Sequence, residues 1–324
     1  MRILLWHVHG SWATAFVHGK HRYVVPVTPD RGPYGRGRAR TFTWPETVDE
    51  VAPEHLAGEE IDLIVAQRPE ELELAARWTG RRPGVDVPAV YVEHNTPRVE
   101  VPDSRHPMAD RDDLTVVHVT HFNELFWDCG GTRTAVIEHG VVEPTARYSG
   151  ELERLAVVTN EPVRRWRVTG TDLMPRFAAA TPLDVFGMGT AGLGERLGLG
   201  ADRLRRYDDP PQATMHTEIA RRRAYLHLCR WTSLGLSLIE AMTIGMPVLA
   251  LATTEAVAAV PPDAGVLATR VDTLVDAARW LIDEPDQARQ LGDRARQAAL
   301  ARYGLDRFLA DWDRLLGDEL GRAR

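Results

Sequence analysis

The stretch 232-TSLGLSLIEAM-242 places a glycine before an apolar segment and a carboxylate, Glu240, five residues after that glycine. A strand-like run, Tyr225 to Leu228, precedes it, so the pattern predicts a helix that begins at Gly235. The free N–H groups at the start of such a helix bind phosphate oxygens, and Gly235 lets a ligand approach the backbone. Glu240 could then accept hydrogen bonds from a ribose diol. On spacing alone, a solvated or capping glutamate is the commoner interpretation.

Histidines also occur in closely spaced pairs, His7 with His9 and His118 with His121. Side chains two or three residues apart can converge on a metal ion. No carboxylate pattern accompanies these pairs, so we expect no metal site.

The composition describes an ordinary globular protein and excludes several classes of partner. A chain of 324 residues suggests two domains, and 44% apolar with 26% charged residues argues against disorder. A net charge of −7 gives no basic surface for nucleic acid. Cys129 and Cys229 are far apart, which fits reduced thiols in the cytoplasm. The N-terminus has the pattern of a first strand rather than a signal peptide. No apolar run reaches about 20 residues, so we expect a soluble chain without a transmembrane segment.

Short apolar runs alternate with helix-like segments along the chain, which is typical of buried parallel strands. The predicted strands are Ile3 to Trp6, Tyr23 to Val27, Ile61 to Ala66, Ala89 to Val92, Val116 to Val119, Thr134 to Ile137, Leu155 to Thr159, Leu183 to Phe186, Tyr225 to Leu228 and Pro247 to Leu251. A turn-rich stretch over 138–150 divides them into two α/β series.

We therefore predict two Rossmann-like domains with doubly wound parallel sheets, over residues 1–143 and 144–304. A final helix over 305–324 is expected to pack back on the first domain. Such domains bind ligands at the carboxyl ends of their strands, here in a cleft where the two domains face each other.

The run 233-SLGLSLIEAMTIGMPVLA-250 resembles the C-terminal signature of family 4 retaining glycosyltransferases of the GT-B fold (glycosyl transferases group 1). The similarity continues through the closing helices over 271–308. Upstream, 115–131 and 134–141 resemble the elements that end the first domain of that family. The resemblance implies a nucleotide sugar bound mainly by the second domain and an acceptor bound mainly by the first.

The resemblance also assigns roles to individual residues. Glu240 matches the glutamate that holds the donor ribose, and Gly235, Leu236 and Ser237 match the helix start that meets the diphosphate. Glu255 matches a carboxylate of the following loop, although the adjacent glycines of the family are missing. In the first domain, His94 resembles the histidine near the donor sugar, and Gly10 would lie near the acceptor and the leaving phosphate.

Two departures from the family pattern concern the donor. Thr232 stands where the family has the first glutamate of a pair, and a hydroxyl cannot replace a carboxylate that accepts two sugar hydroxyl bonds. The family's diphosphate-binding Arg and Lys are replaced by the arginines of 160-NEPVRRWRVTG-170, since Lys20 is the only lysine. Guanidinium groups bind phosphate in a bidentate way, and Arg164, Arg165 and Arg167 are the candidates, with a solvated loop as the alternative. The nucleobase loop of the family corresponds to 183–194, with Gly187 and Gly189.

We therefore predict a retaining, metal-independent glycosyltransferase that uses a nucleoside-diphosphate sugar and no other cofactor. Its acceptor is left open as a glycan, a lipid-linked molecule or a small molecule. Two alternatives are a degenerate nucleotide-sugar binder or partner subunit, because of Thr232 and the missing lysine, and a nucleotide-sugar 2-epimerase. The donor base, the donor sugar and the oligomeric state do not follow from the sequence.

Overall fold

The computed structural model describes residues 1–322, which form two compact units. Unit 1 comprises Met1–Val142 and the chain from Leu305 onward, and unit 2 comprises Glu143–Gly304. Each unit is built on one parallel sheet.

Unit 1 contains a seven-stranded parallel sheet with the strand order β3-β2-β1-β4-β5-β6-β7. Its strands are β1 Arg2–Leu5, β2 Arg22–Pro26, β3 Val48–Val51, β4 Leu63–Ala66, β5 Ala89–Glu93, β6 Thr115–His118 and β7 Arg133–Val136. The inner strands β4, β5 and β6 are buried along their whole length, because helices cover both faces of such a sheet.

The α-helices of unit 1 are α1 Gly10–Val17, α2 Pro69–Thr79, α3 His121–Phe126 and, from the far end of the chain, α12 Leu305–Arg322. Helix α12 packs on α1 through an aromatic cluster, in which the ring of Trp312 lies 5.8 Å from Trp12 and 5.0 Å from Phe16. Arg307 donates a hydrogen bond of 3.0 Å to the carbonyl oxygen of Glu138. The last helix is therefore part of the core of unit 1.

Unit 2 contains a six-stranded parallel sheet with the strand order β10-β9-β8-β11-β12-β13. Its strands are β8 Leu152–Val158, β9 Leu183–Gly187, β10 Leu204–Asp208, β11 Arg222–His227, β12 Val248–Leu251 and β13 Gly265–Ala268. The helices are α4 Pro162–Arg165, α5 Met174–Ala178, α6 Leu193–Leu197, α7 Gln212–Ala220, α8 Leu236–Ile244, α9 Ala256–Ala259, α10 Val271–Asp283 and α11 Pro285–Tyr303.

The strand order of each sheet reverses at one point, between β1 and β4 in unit 1 and between β8 and β11 in unit 2. Open parallel sheets bind ligands outside the carboxyl ends of their strands at such a switch point. In unit 2, the loop after β8 contains the candidate arginines, and the loop after β11 leads into α8. The topology therefore brings the two predicted phosphate-binding segments to the same place.

Candidate functional site

Hydrogen bonds fasten the loops after β8 and β11 to each other at the switch point of unit 2. Arg230, which follows β11, donates its backbone N–H to the carbonyl oxygen of Val168 at 2.8 Å. Its guanidinium donates to the carbonyl of Arg167 at 2.7 Å and pairs with Asp172 at 2.6 Å. These contacts give the arginine-bearing loop a fixed position beside the start of α8.

Helix α8 begins after Gly235, which acts as its N-cap without a side-chain hydrogen bond. A Cβ atom at Gly235 would lie 2.7 Å from Cε1 of His227, so any larger residue there would force this imidazole to shift. Tyr225 donates its hydroxyl to Oγ of Ser237 at 2.9 Å, which ties the first turn of α8 to β11. The first N–H groups of α8 carry the positive end of the helix dipole and can bind an anion.

Glu240 is held in the second turn of α8 by two side chains of α7. Gln212 donates its amide N–H to Oε1 of Glu240 at 3.0 Å. Nε2 of His216 lies 3.2 Å from Oε2 without forming an aligned hydrogen bond. Only 2% of Glu240 is exposed, and its carboxylate is enclosed by Gln212 and His216. Glu240 is therefore neither a solvated nor a capping residue. The sequence interpretation missed Gln212 and His216, although their i, i+4 spacing places them on one face of a helix.

The three candidate arginines after β8 differ in their contacts. Arg164 forms an exposed ion pair with Glu161, and Arg167 pairs with Asp172 at 3.1 Å. Arg165 is half-buried and makes no side-chain hydrogen bond or ion pair within residues 1–322. Arg165 is therefore the guanidinium that is available to a phosphate without first breaking an internal ion pair.

Glu255 and Thr232 lie in adjoining loops of unit 2. The N–H of Glu255 donates to the carbonyl oxygen of Ser233 at 3.4 Å, which joins the loop after β12 to the loop after β11. The Glu255 carboxylate is 5% exposed and pairs with Arg302 of α11 at 3.1 Å. Thr254, just before it, has a φ of 50°, a conformation that L residues adopt at a cost and that is often found at functional sites.

The glycine-rich loop after β9 packs against the arginine-bearing loop. Asn160 accepts the N–H of Met188 on its side-chain oxygen at 2.9 Å, and Glu161 donates its N–H to the carbonyl of Met188 at 2.7 Å. The backbone between Gly187 and Gly189 is therefore fixed next to the residues that follow β8.

We expect Gly187→Ala to lower the free energy of unfolding of unit 2 by about 3 kcal/mol. Gly187 has a φ of 132°, and a Cβ atom there would lie 2.3 Å from the carbonyl oxygen of Thr159. Gly189→Ala is the matched control. It has a φ of 69° with no atom closer than 3.5 Å to the new Cβ, so it should cost only about 1 kcal/mol. Differential scanning calorimetry measures both, and equal melting temperatures for the two variants would contradict the close approach at Gly187.

In unit 1, Gly10 and His94 lie at the carboxyl ends of β1 and β5. Gly10 is the first residue of α1, and a Cβ atom there would lie 2.5 Å from the ring of Phe42. The ring of His94 lies 4.1 Å from that of His9 and 6.4 Å from that of His139, measured between centroids. Nε2 of His94 is buried and makes no hydrogen bond to any described residue. The structure thus brings His94 together with His9, which the sequence interpretation had paired with His7, and with His139, which it had not considered.

Burial keeps these imidazoles neutral. It lowers the pKa of His94 well below 6.5 and that of His139 to about 3. Since the unfolded chain binds protons near pH 6.5, the neutral rings stabilise the fold fully above that pH, and this contribution is lost as the pH falls toward the folded-state pKa.

We therefore expect the melting temperature of unit 1 to fall as the pH is lowered from 7 to 4.5. Each such histidine contributes up to about 1.4 kcal/mol per pH unit. His139→Gln should make this dependence shallower, whereas His55→Gln, at an exposed position, should leave it unchanged. Calorimetry across the pH range measures the slopes. A slope in His139→Gln equal to that of the wild-type protein would contradict the assignment.

Residues 1–322 contain no group of three or more His, Cys, Asp or Glu side chains arranged to hold a metal ion. Within the same range, no helix is both long and apolar enough to span a bilayer.

Residues 208–298, from the end of β10 into α11, match the family model described as Glycosyl transferases group 1. This segment contains Thr232, Gly235, Glu240 and Glu255. No curated protein sequence matches the chain.

Several solved structures are similar over nearly the whole chain. Sucrose-phosphate synthase from Thermosynechococcus elongatus is 14% identical with a TM-score of 0.75, and the match covers 99% of this chain and 100% of that one. Anabaena Alr3699/HepE in complex with UDP-glucose is 16% identical with a TM-score of 0.69, covering 98% and 100%. AviGT4, a glycosyltransferase involved in avilamycin A biosynthesis, is 14% identical with a TM-score of 0.62, covering 100% and 99%. The predicted GT-B fold and the predicted resemblance to glycosyl transferases group 1 are confirmed, whereas the family 4 assignment and the retaining mechanism stay predictions.

Proposed function

We propose that this chain, a glycosyltransferase by its family match and its GT-B fold, transfers a sugar from a nucleoside-diphosphate sugar to an acceptor with retention at the anomeric carbon. One observation carries the proposal. A free helix N-terminus, an uncommitted arginine and a buried carboxylate occur together at the switch point of unit 2. Cys129 and Cys229 form no disulfide, which is typical of proteins in the reducing cytoplasm, and we propose that the chain acts there.

The diphosphate is proposed to lie at the start of α8. There the backbone N–H groups from Leu236 onward face it, and Arg165 approaches from the loop after β8. Both supply positive charge where negative charge grows as the bond between the sugar and the phosphate breaks. Fixed donors of this kind are usually the largest single contribution to catalysis. Since they provide that charge themselves, we propose a reaction without a metal ion.

Glu240 is proposed to accept hydrogen bonds from the ribose diol. Its carboxylate is already oriented by Gln212 and His216, so the diol meets a preorganised acceptor rather than a mobile side chain. Gly187 and Gly189 would leave the backbone after β9 open to the nucleobase. For Glu255, whose carboxylate is paired with Arg302, and for Thr232, we propose positions beside the donor sugar. His94 is proposed to contact the transferred sugar, and Gly10 to lie near the leaving phosphate.

The proposed chemistry is a same-face substitution. The acceptor hydroxyl oxygen forms a bond to the anomeric carbon while the bond from that carbon to the phosphate oxygen breaks. The acceptor proton passes to the departing diphosphate, so no side-chain nucleophile is needed.

The first test is thermal stabilisation of the purified protein by UDP, GDP, ADP, CDP and dTDP. A ligand that binds only the folded state raises the melting temperature. At a concentration of 100 times its Kd it adds about 2.7 kcal/mol to the free energy of unfolding. UDP is the natural first choice, because Alr3699/HepE was crystallised with UDP and UDP-glucose. Stabilisation by one nucleotide would support the proposal, and no stabilisation by any of them would contradict it.

A degenerate nucleotide-sugar binder is the second candidate, favoured by Thr232 in place of a glutamate and by the absence of a lysine after β8. Release of nucleoside diphosphate in the presence of a donor and an acceptor panel distinguishes the two. Turnover would exclude the degenerate binder.

A further inference from the structure

We propose that unit 1 binds a saccharide in the connection between β5 and β6, and that the acceptor of the transfer is a sugar or glycan held there. The inference rests on the proposed function for its reaction and on a pocket in unit 1 for its ligand. This pocket has a volume of about 550 Å³, within the range of small-molecule binding sites. All the residues that line it lie between Glu93 and Trp127.

The connection between β5 and β6 runs over residues 94–114 without a helix or a strand. Loops of this length inside a compact unit are usually either functional or disordered. Its inner side is fixed by one buried and one exposed contact. Nε2 of His106 lies 3.0 Å from Oε2 of Glu93, and the indole N–H of Trp127 donates to the carbonyl of Asn95 at 2.8 Å. The pocket therefore has positioned walls, although they belong to a loop.

Several polar groups of the pocket are left for a ligand. The side chains of Thr96, Glu100 and Asp103 line it and make no hydrogen bond or ion pair with any other residue in the described chain. Arg105 also lines the pocket, but its guanidinium is committed, at 2.9 Å, to Asp128. Arg98 lines the pocket as well and, among the described residues, donates only to the side-chain oxygen of Asn95, at 3.3 Å. The groups that remain available are thus two carboxylates, a hydroxyl and most of the Arg98 guanidinium.

This set of groups fits a polyhydroxylated ring. Each carboxylate can accept hydrogen bonds from neighbouring hydroxyls, and the threonine hydroxyl can donate or accept. Trp127, half-buried in the wall, has its N–H satisfied and offers an apolar ring for the C–H face of a pyranose. An aliphatic lipid would desolvate the polar groups without bonding them.

The test is saturation-transfer NMR on the full chain without nucleotide. The saccharide probes are the methyl α-pyranosides of glucose, mannose and galactose, together with maltose. Octan-1-ol and 1,4-diaminobutane represent an apolar and a cationic ligand. At least one saccharide is expected to receive saturation.

Glu100→Gln combined with Asp103→Asn should weaken its binding by roughly tenfold or more. This double variant keeps side-chain size and removes no internal contact, and Trp127→Ala should have a similar effect. Asp112→Asn, an exposed carboxylate outside the pocket, should bind like the wild-type protein.

Saturation of only the alcohol or the diamine, or saccharide binding that survives in the double variant, would overturn the inference. Nucleotide-induced melting shifts, measured on the same proteins, separate it from the proposed function. The double variant should keep its response to nucleotide, because the two carboxylates belong to unit 1 and the nucleotide residues to unit 2. Saccharide binding without any nucleotide response would leave the pocket intact and refute the transferase proposal instead.

Discussion

Glu240→Gln is expected to raise the Kd of the stabilising nucleotide by between about tenfold and a hundredfold while leaving the fold intact. The carboxylate is proposed to accept charge-assisted hydrogen bonds from the ribose, each worth about 1.5–3 kcal/mol, and the amide removes the charge and one acceptor. The substitution preserves volume, and the new amide oxygen can still accept from Gln212. Isothermal titration calorimetry measures the Kd, and the melting temperature of the unliganded protein reports on the fold.

The matched control is Glu153→Gln, which alters an exposed carboxylate near the start of β8, away from the carboxyl ends of the strands. It should bind the nucleotide like the wild-type protein. A Kd for Glu240→Gln that equals the wild-type value would contradict the proposal that α8 binds the donor.

Arg165→Ala is expected to weaken binding of the nucleoside diphosphate by between about tenfold and a hundredfold, and to leave binding of the corresponding nucleoside unchanged. Arg165 is proposed to contact only the diphosphate, so the ratio of the two Kd values isolates its contribution. In turnover we expect kcat to fall by about a hundredfold, because the same guanidinium would stabilise the departing charge.

Arg164→Ala tests whether binding of the diphosphate depends on Arg165 in particular or on any arginine of the loop. Its guanidinium is largely exposed and paired with Glu161, and surface pairs contribute little. Its effect on the Kd of the diphosphate should stay within about threefold. Equal effects of the two substitutions would show that the loop acts through its total charge rather than through Arg165.

The interior of both sheets could be predicted from the sequence, whereas three of the four edge strands could not. The inner strands are continuous apolar runs because they are covered on both faces. The missed strands, Val48–Val51, Leu204–Asp208 and Gly265–Ala268, lie at the edges of their sheets and are partly exposed. Polar residues are tolerated there, so 48-VDEV-51 and 204-LRRYD-208 lack the apolar signal.

Part of the candidate site follows from local sequence patterns, and the rest depends on contacts between residues that are distant in sequence. Gly235 and Glu240 are recognisable because one helix sets their spacing. The orientation of Glu240 by Gln212 and His216 is a contact between two helices, which no local pattern encodes. The choice among the three arginines depends on which carboxylates lie within reach. Glu161 is adjacent in sequence, but the commitment of Asp172 to both Arg167 and Arg230 requires the folded loop.

The aromatic cluster of α1 and α12 has a consequence for biosynthesis. The ribosome delivers the chain from its N-terminus, and domains generally fold in that order. Here the partners of Trp12 and Phe16 arrive only with Phe308 and Trp312, after all of unit 2 has been synthesised. Until α12 has been synthesised, part of the apolar core of unit 1 therefore lacks its packing partners, although unit 2 is already fully translated. The translation of unit 1 thus begins first, but its core can become complete only after unit 2 has been synthesised.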